Sequence, residues 1–381
     1  DPGNTLTLPP EETANTGLSE TEVTQLQGIY PQDLLARVQL ADCLTALQNS
    51  LAVSDGSVSA PMVLNGTRLY LRRFWRYEQR IAEGIRHRLG LPSSLADPQS
   101  SAAQTLSQAL NQLFRSTDVV DYQKLACALA ARNRFAVITG GPGTGKTTTV
   151  VNLLAALQAM AGESPERAGR KYRIRLAAPT GKAAARLNES IGGAVSKLPL
   201  TNLPGTVQPD DIPTRVTTLH RLLGSRPDTR QFRHNLDNPL LVDILVIDEA
   251  SMVDVDLMAS VFDALPARAQ LILLGDKDQL ASVDAGAVLG ELCQRAFKAH
   301  YTTETAGWLE ALTGARLPDS LVDNSGQALD QAVAMLRKSY RFSQDSGIRQ
   351  LAEAVNTSAL TETVLKQVRD TEFEDITWLN S

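Results

Sequence analysis

The stretch GGPGTGKT, Gly140 to Thr147, fits GxxxxGK[ST], and it lies between the apolar run FAVIT and the helix-forming run KTTTVVNLLAALQAM. Strand, glycine-rich loop and helix in that order is the setting in which this motif cradles phosphates. It therefore commits the chain to a sheet with helices on its faces and a ligand at the strand ends. Gly140, Gly141, Gly143 and Gly145, with Pro142 and Thr144 between them, let backbone N–H groups approach a polyphosphate. The helix N-terminus running through Lys146, Thr147 and Thr148 adds a positive dipole end. Lys146 is expected on the β and γ phosphates, and the Thr147 hydroxyl on Mg²⁺. A chance glycine-rich turn is the competing reading, and the flanking strand and helix disfavour it.

A second motif follows. ILVIDEAS, Ile244 to Ser251, ends an apolar strand on two carboxylates. At the C-terminal edge of a parallel sheet, Asp248 would hold the Mg²⁺ and Glu249 would position or deprotonate the attacking water. A carboxylate pair at a strand end can also be a helix cap, a reading that the preceding phosphate loop weakens. The two motifs together imply hydrolysis of a nucleoside triphosphate and leave open what the hydrolysis drives. In LLGDKDQLASVDAG, Gln279 follows a strand end within reach of a γ phosphate, although a surface turn would tolerate DKDQ equally well.

The rest of the chain supports an α/β architecture. Strands are expected at 135–139, 173–178, 241–248 and 270–276, with helices in KTTTVVNLLAALQAM, TGKAAARLNESI, TTLHRLL and VDVDLMASVFDAL between them. Residues 1–30, acidic and poor in aromatics, read as a mobile segment or a fragment edge without the apolar core of a signal peptide. Residues 31–100 read as a small, mostly helical N-terminal docking domain with a β-hairpin, since Asn65-Gly66 separates two apolar runs. A helix is expected in PQDLLARVQLADCLTALQNSLAV, and another in FWRYEQRIAEGIRHRLG. The arginines at 72, 76 and 80 share one face, open to readings as a solvated face, a docking face for an acidic partner or a DNA surface. The Pro/Ser-rich break Leu91 to Ser101 is the linker candidate, and 101–358 is the nucleotide-binding domain. Residues 359–381 would begin a connection to a further domain.

A net charge of −5 argues against broad affinity for nucleic acid, so any polyanion site must be local. Arg68 to Arg88 and Arg167 to Arg186 are the locally basic segments. Three cysteines without a CxxC pair exclude a disulfide framework or zinc site and suit a reducing cytoplasm. The apolar runs are strand-sized and bounded by charge, so no membrane partner is expected.

Taken in order, VITGGPGTGKTTTVVNLLAAL, LAAPTGKAAARLNES, TTLHRLLG, LVIDEASMVD, LLGDKDQL and LRKSYRF resemble the RecD family. These are the α subunits of exodeoxyribonuclease V, superfamily-one helicases that move 5′ to 3′. The resemblance implies a RecA-like P-loop NTPase domain that uses ATP and Mg²⁺ to drive a single-stranded DNA translocase or helicase. It also implies RecB-like and RecC-like partners in a heterotrimer for double-strand-break repair and recombination. By position, Gln123 resembles the glutamine that reads adenine, and Pro179, Thr180, Gly181 and Lys182 the first DNA-contact motif. Thr218 with His220 resembles the second, Gln279 the coupling motif, and Arg341 the arginine that reaches the γ phosphate. Within the resemblance KSYRF is a strand, QDSGIRQLAEAVN the following helix, and Arg337 and Lys338 solvated charges.

Thr180 and the free N–H groups after it can hold a DNA phosphate while Lys182 supplies charge, contacts that carry no base information. His220 has an alternative reading as a helix-start histidine packed on its neighbours. The sequence departs from the family in one respect: the second RecA-like domain's QGSEF-like and YTAxTRA-like signatures do not occur in it. The alternative function is thus a nucleotide-binding docking or assembly module without helicase activity of its own. A GTPase is disfavoured by the absence of an NKxD motif, and a nuclease by the absence of a further carboxylate cluster with lysine.

Overall fold

The computed structural model describes residues 39–114, 120–163, 169–227, 229, 231–279, 288–340 and 346–356, with several positions between 361 and 376. The segment expected at 1–30 and most of 359–381 lie outside the described residues. Two compact units divide the chain, Asp1–Arg76 and Tyr77–Ser381.

In the first unit, helix α1 (Leu40–Gln48) precedes a three-stranded sheet of β1 (Val53–Ser54), β2 (Met62–Asn65) and β3 (Arg68–Leu71). The expected hairpin is β2–β3, antiparallel, with Asn65 opposite Arg68. That register makes Gly66-Thr67 the two-residue loop. Gly66 takes φ +60° while Thr67 stays at negative φ, which suits a turn with glycine at its first central position. Gly56, at φ +101°, lets the Trp75 ring come close: a Cβ there would stand 2.7 Å from Trp75 Cη2.

Helix α2 (Arg72–Leu89) carries the unit boundary within it. Two arginines of the expected face have partners: Arg72 donates to Val58 O, and Arg80 pairs with Asp263 at 2.9 Å. Arg88 is 3% exposed and donates to Gly84 O, Ala269 O, Leu265 O and Pro266 O, with its guanidinium 5.2 Å from the Phe262 ring centroid. Burial lowers its pKa to about 10. Arg88→Met is expected to destabilise the chain by about 2–4 kcal/mol, because it strips carbonyls buried beside it of a charged donor. Urea denaturation followed by circular dichroism checks this; a loss below about 1 kcal/mol would mean water replaces the guanidinium.

The break Leu91 to Ser101 is packed into the second unit and does not act as a linker. Leu95 is buried, Trp308 Nε1 donates to Leu95 O at 2.6 Å, and Ser93 Oγ donates to Arg132 O at 2.6 Å. Proline and serine here end helices; they do not separate domains. Ser100 then caps α3 (Ser101–Leu113), and Asp121 caps α4 (Tyr122–Arg132).

From there strands and helices alternate: β4 (Phe135–Gly140), α5 (Lys146–Ala159), β5 (Ile174–Ala178), α6 (Gly181–Val195), β6 (Val216–Thr218), α7 (Leu219–Leu223), β7 (Ile244–Ile247), α8 (Val255–Ala264), β8 (Gln270–Gly275), α9 (Val288–Leu292), α10 (Thr303–Thr313), β9 (Val333–Leu336) and α11 (Gly347–Asn356). The six strands of this sheet run parallel in the order β6-β5-β7-β8-β4-β9. β4 and β8 are buried at every residue and read as continuous apolar runs, as strands covered on both faces do. Helix α5 is buried from Thr149 to Ala159, so apolar residues lie on all its faces, with Asn152 and Gln158 among them, and it is not amphipathic.

Two strands differ from expectation. TTLHRLL is a strand end plus a short helix, since Val216–Thr218 pairs with Leu176–Ala178 before α7 begins. Of KSYRF, expected as a strand, Lys338 to Tyr340 is irregular and Arg341-Phe342 lies outside the described residues, so the strand beside β4 is an earlier stretch. That stretch is Val333–Leu336, whose apolar side chains fill the space beside β4. Helix α11 matches the expected QDSGIRQLAEAVN from Gly347 onward.

Candidate nucleotide site and neighbouring strand ends

The phosphate loop leaves β4 and enters α5 through two left-handed glycines, Gly143 at φ +76° and Gly145 at φ +80°. Thr144 closes the turn, its N–H and hydroxyl both donating to Gly141 O, at 3.4 and 2.9 Å. Gln123 reaches the loop from α4 and donates to Thr144 O at 3.0 Å, while Asp121 fixes the start of that helix by accepting from Gln123 N and Lys124 N. Lys146 Nζ donates to Gly140 O at 2.6 Å and Gly141 O at 3.3 Å, so the ammonium lies inside the loop's curve.

The residues fit a polyphosphate. At Gly145, the N-cap of α5, no side chain caps the helix, whereas α4, α6, α7 and α8 are each capped by an Asp or Thr side chain. The first-turn N–H groups of α5 have no intrahelical acceptor and face the strand ends. Gly145→Ala should weaken nucleotide binding about tenfold or more, since φ +80° strains any L side chain and its Cβ would lie 2.2 Å from Gln123 Nε2. Titration with a fluorescent ATP analogue reads the loss directly, and unchanged affinity would show that the loop rebuilds itself.

Two strands away, β7 delivers Asp248 and Glu249. Burial pushes the Asp248 carboxyl up to about 6; the Glu249 N–H and the charges of Lys146 and Arg186 oppose the rise, and the Glu249 carboxylate adds to it. A cation beside Asp248 would restore its charged form, which suits a ligand for a divalent ion. Among the described residues no cluster of three or more His, Cys, Asp or Glu could bind a metal by itself, so a cation here would complete its shell with Thr147, phosphate and water. Glu249 has φ +52°, the left-handed region that non-glycine residues seldom adopt. Although it stands at the N-cap of the short turn Ala250–Met252, its side chain makes no capping bond. Its carboxylate is not spent on the helix-cap role that the sequence left open.

Gln279, from the end of β8, accepts from Ser251 Oγ at 3.1 Å, which joins the DKDQ turn to the residue two after Glu249. Asp276 is buried, its backbone carbonyl accepting from Gln279 N, and Lys277 N donates to Thr139 Oγ1 on β4. These bonds tie β4, β7 and β8 together at one edge. Ser251 and Thr139 carry no motif signal in isolation and emerge only from the strand order.

β5 and β6 end beside them. Ala178 is opposite Thr218, so Pro179-Thr180-Gly181-Lys182 and Thr218-Leu219-His220 start their helices side by side. Thr180 Oγ1 accepts from Ala183 N and Thr218 Oγ1 from Arg221 N, each at 3.2 Å. A capping threonine still has its own O–H to donate, so both can cap a helix and bond a phosphate. Lys182 is exposed, and Arg186 one turn further along α6 shares its face, within electrostatic range of Asp248. Lys182 to Arg186 at i, i+4 was the signal for this overlooked arginine. His220 is exposed, its ring edge-on to Phe232 at 5.8 Å, which fits the packed reading without removing the imidazole from solvent.

Arg341 lies outside the described residues. The chain reaches the phosphate loop one residue earlier, where Tyr340 N donates to Gly143 O at 2.8 Å. Arg337 is not a solvated charge: its guanidinium lies 5.5 Å from the ring centroids of both Tyr122 and Phe297, and it donates to Phe297 O. Lys338 sits 5.2 Å from the Tyr340 ring centroid, so aromatics flank both cations.

Two family models match: "RecBCD enzyme subunit RecD, N-terminal domain" over residues 7–70, and "AAA domain" over residues 123–285. The chain is 40% identical to RecBCD enzyme subunit RecD of Haemophilus influenzae over 88% of its length and 50% of that protein's. For RecBCD enzyme subunit RecD of Mycobacterium tuberculosis the identity is 37%, over 83% of this chain and 45% of the relative. The ATP-dependent RecD2 DNA helicase of Deinococcus radiodurans is 35% identical over 60% of this chain and 26% of its own. The chain thus spans about half the length of the curated RecD relatives it matches.

Proposed function

The chain belongs to the RecD family, and from that membership we propose that its second unit is an ATP-driven motor domain of a 5′-to-3′ single-stranded DNA translocase. In this reading it acts as a helicase subunit with RecB-like and RecC-like partners in cytoplasmic double-strand-break repair. Cys43, Cys127 and Cys293, all free thiols, suit that compartment.

One observation carries the proposal. The phosphate loop, the Asp248-Glu249 pair and the threonine-capped starts of α6 and α7 stand on the same edge of one parallel sheet, with β5 between β6 and β7. Lys146 and the α5 N–H groups would hold the β and γ phosphates, and Gln123 would face the adenine. Thr147 and Asp248 would hold Mg²⁺, whose charge offsets that developing on the transferred phosphoryl group. Glu249 would orient and deprotonate water. Gln279, bonded to Ser251, would pass a change at the γ position along the strand ends to Thr180 and Thr218. Arg341 would neutralise the γ phosphate from the segment following Tyr340. Thr180, Lys182, Thr218 and His220 would grip the DNA backbone without reading bases, as stepping over any sequence requires.

The test is ATP turnover of the 381-residue chain with and without oligothymidylate; no stimulation by DNA would defeat the translocase reading. Lys182→Ala should weaken single-stranded DNA binding modestly and reduce the slope of log affinity against log salt by about 0.7, the value for one lost phosphate contact. An unchanged slope would remove Lys182 from the interface. A second reading is a nucleotide-binding docking module without helicase activity of its own. Robust DNA-stimulated turnover by this chain excludes it.

A further inference from the structure

A cavity of about 660 Å³ opens at the opposite edge of the large sheet. Its walls are the chain segments that enter β4, β5, β7 and β8, so it lies a full strand length from the phosphate loop, about 20 Å for a six-residue strand. Ligands of parallel sheets gather at the other edge, and this cavity takes no part in the nucleotide site.

Its charge is one-sided. Arg134, Arg170, Lys171, Arg173 and Arg268 line it, and among the described residues Asp243 is the single lining carboxylate. Asp243 pairs with Arg173 at 3.0 Å, and Asp211 approaches Lys171 at 3.7 Å. Even with Asp211 counted, positive charge exceeds negative by three, in a chain whose net charge is −5. Arg170 and Arg268 also make contacts within the fold, so the excess is one of sign and density and does not depend on unpaired groups. A merely solvated edge would mix signs; clustered cations repel one another and are tolerated best where an anion neutralises them.

The cavity is also apolar in a particular way. Leu241 on its rim is 78% exposed and sits with Leu91, Pro92 and Pro239 among the lining residues. Among the described residues Tyr172 is the one aromatic in the lining, whereas single-stranded nucleic acid is ordinarily held by several stacking rings. We propose that this groove docks an acidic, leucine-bearing segment of another polypeptide, with carboxylates on the arginine cluster and an aliphatic side chain against Leu241. Surface charge of this kind sets partner choice and encounter rate, and the buried aliphatic contact sets residence.

The experiment uses the 381-residue chain and fluorescence anisotropy. The probes are a short fluorescein-labelled peptide of Glu-Glu-Leu repeats, the same peptide with serine for leucine, and oligothymidylate of equal charge. The Glu-Glu-Leu peptide should bind better than its serine counterpart. Arg170→Glu with Arg268→Glu should weaken it by about tenfold or more, and Leu241→Ser several-fold. Leu241 is exposed, so that variant tests the groove even if the double charge reversal perturbs folding. ATP turnover should be untouched by Leu241→Ser. No peptide binding, or peptide binding indifferent to all three substitutions, overturns the proposal. So does oligothymidylate binding that is lost on charge reversal but indifferent to Leu241→Ser, which would make the groove a nucleic-acid surface.

Discussion

Lys146→Ala is expected to lower ATP turnover by about 10²- to 10³-fold or more, the usual cost of removing one fixed donor from a developing charge. The loop that holds Lys146 does not depend on it. Gly143 and Gly145 take their left-handed conformations, Thr144 bonds Gly141, and Gln123 bonds Thr144, all without the lysine. The ammonium is therefore a charge placed in a prebuilt curve, held by Gly140 O and Gly141 O. Its removal should leave the fold stable and impair chemistry more than binding, since the α5 N–H groups still meet the phosphates. Steady-state ATPase assays beside a nucleotide titration separate the two effects. Turnover within about threefold of the unsubstituted chain would detach the loop from catalysis and leave this site a structural one.

The candidate nucleotide site was legible because each part of it is local in sequence. Gly140 to Thr148 carries its strand, loop and helix in one stretch, and Asp248 and Glu249 stop an apolar strand where they stand. What escaped was set by tertiary neighbours. The strand Val333–Leu336 has no alternation and few β-branched residues; pairing with β4 makes it a strand. Thr217 and Thr218 of the strand Val216–Thr218 were read into the helix TTLHRLL because three residues are too few to show a period. Arg337 looked solvated because nothing near it in sequence shows that Tyr122 and Phe297 arrive on either side. The stretch Leu91 to Ser101 carries every mark of a linker, and tertiary contacts such as those of Trp308 with Leu95 and Ser93 with Arg132 show that it is covered.

Glu249 is where the backbone itself separates function from structure. Its left-handed conformation costs about 1–3 kcal/mol for a residue other than glycine, and no side-chain capping bond offsets that cost. A carboxylate kept there at such a cost, next to a half-buried aspartate, is suited to act on something outside the chain. Glu249→Gln keeps the shape and removes the base, and should reduce ATP turnover by about 10²- to 10⁴-fold with nucleotide affinity little changed. Equal losses in turnover and affinity would make Glu249 a binding group and not the water's base. Glu249→Gly sharpens the test from the other side. It should be as inactive as the glutamine variant yet unfold at a higher temperature, since relief of about 1–3 kcal/mol of strain outweighs the roughly 0.5–1 kcal/mol that glycine's freedom in the unfolded chain costs. If the glycine variant were instead less stable, the carboxylate would be holding the β7 strand end together, and the strained backbone would have a structural cause.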